Sequence, residues 1–151
     1  MNKQNRIIRI GFLVLFTLIS SVVWAKDPVF TKFLSSDAVS GYDPVAYFTQ
    51  SRPVKGSDDF SFKYKDAKWY FSSQENLELF KSNPDKYAPQ YGGYCAWAVA
   101  QGYTADGNPM NWAIRDGKLY LNYNTSIQDK WLKDVDAFII KANQNWPKVL
   151  E

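Results

Sequence analysis

FSFKYKDAKWYFSSQENLELFKSNP, residues 60–84, decides the fold class. Phe60, Phe62 and Tyr64 alternate with Ser61, Lys63 and Lys65, the period-two pattern of a half-buried strand. Asp66-Ala67 supplies a turn, and the aromatic run Trp69-Tyr70-Phe71 supplies the returning strand. Ser72 followed by Glu75 reads as a capping box opening a helix that buries Leu77 and Phe80 and stops at Asn83-Pro84. An antiparallel hairpin running straight into a helix is therefore expected.

Working outward, NWAIRDGKLYLNYN (residues 111–124) writes a second hairpin. Asp116-Gly117 provides the positive-φ turn, and Trp112 and Ile114 face Leu119 and Leu121 across it. The last element carries Ile127, Trp131, Leu132, Val135, Phe138, Ile139 and Ala142 at helical spacing, with Thr125 or Ser126 as its cap and Pro147 beyond its end. Between the hairpins, PDKYAPQYGGYCAWAVAQG (residues 84–102) predicts a helical turn at Pro84–Tyr87, a flexible Gly92-Gly93 pair and a short helix from about Cys95 to Ala100. Upstream, AVSGYDPVAYF (residues 38–48) reads as a turn entering a short strand or helical turn, with Asp43-Pro44 as turn chemistry. From Lys26 to Ser36 an extended lead-in offers Val29, Phe30, Phe33 and Leu34 to the core. The sum is one α+β domain: a small antiparallel sheet of two β-hairpins packed with short helices and a C-terminal amphipathic helix.

The N-terminus is read separately. Lys3, Arg6 and Arg9 precede an apolar run from Phe12 to Val23, then Val23-Trp24-Ala25. This is the pattern of a bacterial secretory signal peptide, residues 1–25, removed after Ala25 to leave residues 26–151 as one domain in the periplasm. Its apolar run is too short for the roughly 20 residues of a spanning helix, so no stable membrane insertion is expected after cleavage. Removing those three cations leaves fifteen basic against fifteen acidic residues. A formally neutral chain gives no basis for nucleic-acid binding.

Two compositional facts narrow the chemistry. There is no histidine, which removes Ser-His-Asp and Cys-His catalysis and His-ligated zinc, copper or haem. There is one cysteine, Cys95, so no internal disulfide staples the fold and packing of the abundant aromatics must do so. Cys95 lies among glycines at a predicted helix start, where a thiol pKa is lowered. Tyr91, Tyr94, Trp97 and Tyr103 crowd around it in sequence, and an aromatic pocket walled by these residues and Cys95 is expected to suit a small apolar or planar ligand. Met110 is the one other sulfur after the leader, and a Cys95–Met110 pair is the candidate Cu(I) site.

GYDPVAYF, then a hairpin ending in WYFSS, then a helix running into FKSNPDKYAPQYGGYCA, in that order, resembles the YHS domain family. The resemblance is to its exported single-domain branch, extended by a GGYCA segment and a WLKD-type terminal helix, and covers roughly Ala38 to Pro147. The family's Tyr-His-Ser triplet corresponds to Tyr70-Phe71-Ser72 here, with the histidine replaced. Metal-handling relatives, including the similar TRASH-type domains, carry cysteines where this chain has Ala46, Ser72 and Asn76, which are poor ligands for soft metals.

Three classes of function stay open on sequence. The first is a non-enzymatic periplasmic binding module for a transition metal or small ligand at the Cys95 region. The second is a structural accessory protein docking on an envelope partner. The third is a thiol-dependent redox enzyme. A Cys95-linked dimer is a further possibility for an unpaired cysteine in an oxidising compartment.

Overall fold

The computed structural model describes residues 25–151; the signal-peptide assignment lies outside them except for Ala25. The chain is α+β, with two antiparallel two-stranded sheets and six α-helices among the described residues. Strand β1 (Ser57–Tyr64) pairs with β2 (Ala67–Phe71) in the register Tyr64↔Ala67, so Lys65 and Asp66, both at positive φ, make the turn one residue earlier than the sequence suggested. Strands β3 (Asn108–Arg115) and β4 (Lys118–Asn122) follow the expected register, Trp112↔Leu121 and Ile114↔Leu119, around Asp116-Gly117.

The hairpins do not join into one sheet. Ser36 C=O takes the Lys68 N–H at 2.7 Å, and Cys95 forms a single parallel bridge to Leu121. The outer edges of β2 and β4 are thus each met by a loop segment, which satisfies backbone groups that an open edge would leave bare. A lone hairpin is marginal in water, and here both contribute to one core: Trp69, Phe71, Leu119 and Leu121 are all buried in the same cluster as Val45, Tyr47 and Phe80. The Phe80 ring is its centre, 4.9 Å from Trp69 and 5.1 Å from Phe71. Tyr47, on helix α1 (Ala46–Thr49), ties the halves together by donating to Pro109 C=O at 2.9 Å and packing on Trp112.

Helix α2 (Gln74–Ser82) is capped by Ser73, which accepts from Asn76 N–H, and not by Ser72. The shift has a cause: Ser72 is committed to Asp43. Asn83 ends α2 and caps α3 (Pro84–Tyr87). The predicted C-terminal helix is two helices, α5 (Thr125–Leu132) and α6 (Val135–Asn145), after the short α4 (Ala96–Ala100). Asp134 leaves the helical conformation and caps α6, breaking the periodic run, while Asn124 and not Thr125 or Ser126 caps α5. Helix α4 packs on α6 in a second core with Tyr120, Trp131 and Ala142, and Asn145 Nδ2 donates to the terminal carbonyls of Val99 and Ala100 at 2.9 and 3.3 Å.

The lead-in docks through Val29 and Phe30, which are buried, but not through Phe33 and Leu34, which are 93% and 92% exposed. Gly92 permits the docking. It sits at φ 61°, gives its carbonyl to Phe30 N–H at 2.9 Å, and a Cβ there would lie 1.8 Å from Pro28 O. No helix among the described residues is long and apolar enough to cross a membrane.

Because Phe80 lies in the middle of three ring contacts with no exposed surface, Phe80→Ala is expected to cost about 3–5 kcal/mol. Chemical denaturation, read as a fall in midpoint at unchanged slope, checks this.

Candidate functional site

Asp43 is the residue whose role local sequence understated. Its carboxylate is completely buried and accepts five hydrogen bonds. Oδ1 takes Val45 N–H at 2.8 Å and Ala46 N–H at 3.3 Å, the turn chemistry expected of Asp-Pro. Oδ2 takes Ser72 N–H at 2.8 Å, Ser72 O–H at 2.7 Å and the Asn76 amide at 2.7 Å. The three positions where metal-handling relatives place cysteines, Ala46, Ser72 and Asn76, therefore all converge on Asp43. Here they supply two backbone N–H groups, a hydroxyl and an amide, all donated to a carboxylate. Charge-assisted bonds of this kind are the strong ones, and donors turned toward an anion offer nothing to a soft cation. These residues do not fit the metal site that the family resemblance suggests.

Cys95 is 1% exposed, at the cap position of α4, with its N–H donated to Ala105 C=O at 2.9 Å. The thiol points to Asn122, whose Oδ1 lies 3.6 Å from Sγ and also accepts Trp97 N–H at 3.2 Å. Asn122, fully buried on β4, thus caps the helix that Cys95 cannot cap. Burial pushes the Cys95 thiol above its ordinary pKa, outweighing the opposing pull of the backbone N–H groups of Ala98, Tyr123 and Trp97. This corrects the expectation of an activated thiolate at a helix start: desolvation dominates.

The anticipated five-residue aromatic pocket does not assemble. Tyr91 and Tyr94 bury their rings against Trp146, away from the residues that gather at Cys95. Tyr91 donates to Asn143 Oδ1 and Tyr94 to Asp27 C=O, each at 2.9 Å. Cys95, Trp97 and Tyr103 do come together. Small side chains, Cys95, Ala98 and Ala105, form the floor of a cleft of about 200 Å³, and Trp97, Tyr103, Tyr123 and Ile127 form its walls. Trp97 and Tyr103 meet edge to face at 6.4 Å, and the Lys130 ammonium lies 5.8 Å from the Trp97 ring. Met110 is not part of this cleft. It sits half-exposed in the irregular part of β3, while Cys95 is buried. Tyr123 and Ile127 were missed because they reach the cleft only through the β4–α5 connection. A larger groove of about 560 Å³, where Tyr91 ends up, is lined by Tyr64, Trp69, Trp146 and Leu150 together with Lys65, Asp85 and Lys118.

The family model described as YHS domain matches residues 45–91, so this segment is similar to that family. No curated protein and no solved structure matches the chain.

Two outcomes follow from this geometry. Asp43→Ala strands the Ser72 and Asn76 donors and is expected to cost about 3 kcal/mol in denaturant midpoint. Iodoacetamide is expected to modify native Cys95 far more slowly than the unfolded chain, with a pH onset above that of an ordinary thiol, as mass spectrometry against time would show.

Proposed function

We propose that this YHS-domain chain is an exported, non-enzymatic binding module that holds a small planar, largely apolar ligand in the cleft beside Cys95. One observation carries the reading: small side chains at Cys95, Ala98 and Ala105 open a recess that four larger side chains surround. Apolar recesses with a few placed polar groups are the usual form of small-ligand sites. The volume, about 200 Å³, suits one or two fused rings rather than a larger molecule. Tyr103 and Tyr123, each about half exposed at 48% and 51%, stand at the mouth with hydroxyls available for a polar substituent. The Trp97 ring offers a stacking face, and stacked or edge-on rings gain beyond the area they bury.

An enzymatic role has little to work with here. The chain has no histidine, and its single thiol is buried with a raised pKa. A copper role would need a second soft ligand beside Cys95, and Met110, the other sulfur after the leader, is half-exposed and does not line the cleft. The export assignment rests on the N-terminal pattern of residues 1–25.

Titration of the 15N-labelled protein with indole and with p-cresol is expected to shift amide signals at Cys95, Trp97, Tyr103, Tyr123 and Ile127. Ala105→Leu, which fills the recess from a half-buried position, is expected to weaken that response at least about tenfold. Shifts confined to other surfaces, or an undiminished response in Ala105→Leu, would remove the reading. Stoichiometric Cu(I) retained by the native protein under reducing conditions and lost in Cys95→Ser would replace it with a metal site.

A further inference from the structure

Phe33 and Leu34 are the most exposed large apolar side chains among the described residues, at 93% and 92%, with Ile140 next at 60%. They occupy the two central positions of a tight turn closed by Ser35 N–H to Lys32 C=O at 2.9 Å. Leu34 holds φ 62°, at the turn position that favours glycine. Ser35, Ser36 and Asp37 follow immediately, so residues that suit turns are at hand. The chain instead places two large apolar groups at the apex and accepts backbone strain to do so. Such a combination of strain and apolar exposure is the kind of outlier that points to function.

The surroundings indicate what covers the tip. A convex apex with two projecting side chains suits a medium that closes around it. Lys32, within the turn, has no ion-pair partner among the described residues. Lys32 shares a shallow groove with Tyr123, which is half-exposed. Tyrosine and lysine beside apolar groups are the residues found at the level of lipid headgroups, where a cation also meets anionic lipid.

We propose that the Phe33–Leu34 turn is a membrane-contacting tip, inserting its two side chains into the interfacial layer of a lipid bilayer with Lys32 and Tyr123 at headgroup level. The contact is peripheral and reversible, since even a single acyl chain gives only marginal anchoring. It shares Tyr123 with the mouth of the ligand cleft, whereas Phe33, Leu34 and Lys32 do not line that cleft.

The test uses the full chain as its own host produces and processes it, with Ser36→Cys carrying a nitrobenzoxadiazole dye and buried Cys95 left unlabelled. Vesicles are phosphatidylcholine, alone or with one-third phosphatidylglycerol. A blue-shifted, brighter emission on adding vesicles is expected. Phe33→Ser with Leu34→Gly, which also relieves the positive-φ strain and so keeps the fold, is expected to weaken the response at least about tenfold. Lys32→Ser is expected to weaken it on the anionic vesicles alone. No dye response to either vesicle, or an equal response in the double variant, would overturn the proposal. So would a concentration-dependent shift without vesicles, which would assign the tip to a second copy of the chain.

Discussion

A buried carboxylate with five donors around it is the constraint on which the first half of this molecule depends. Asp43 is fully enclosed, and an enclosed carboxylate is tolerated only when its lone pairs are answered. Satisfying it pulls three separate stretches into one place: the start of α1, the end of β2 and the first turn of α2. That convergence fixes how the hairpin meets its helix and sets the position of Phe80 beneath Trp69 and Phe71. It also moves the cap of α2 from Ser72 to Ser73, because one hydroxyl cannot serve both sites.

The same knot lies within the segment that matches the YHS domain model. Ala46, Ser72 and Asn76, the positions where the resemblance implies sulfur ligands, donate instead to a buried carboxylate, so hydrogen bonds join these stretches here. The matched segment ends at Tyr91. The cleft at Cys95, with every residue that lines it, is built by the chain beyond that point. Shared fold and local recess therefore come from different parts of the sequence, in keeping with function residing in sites added to a fold.

A second polar centre organises the later half. Asn122 accepts from both Cys95 and Trp97, which seats α4 on β4 and turns the thiol inward. Its Nδ2 is buried without a protein partner, and Trp97 N–H fixes which end of the amide faces the helix. Tyr47 then links the two halves across the core through Pro109. Neither hairpin needs the other's edge, since loop segments at Ser36 and Cys95 cover both.

Local pattern determined a good deal about this protein. Alternation in residues 60–71 and the Asp116-Gly117 turn gave both hairpins, and helical spacing gave α2 with Leu77 and Phe80 inward, because these signals depend on neighbours a few residues apart. The lack of histidine bounded the chemistry in the same direct way. Tertiary structure alone decided the rest. Whether Cys95 is reactive depended on Leu121 and Asn122, 26 and 27 residues away, and burial reversed the effect expected from its helix position. Which aromatics share a recess depended on which side of the backbone each ring left, so Tyr91 and Tyr94 parted from Trp97 and Tyr103 while Tyr123 and Ile127 joined them. Desolvation and side-chain direction are properties of surfaces brought together from distant parts of the chain, and no local spacing encodes them.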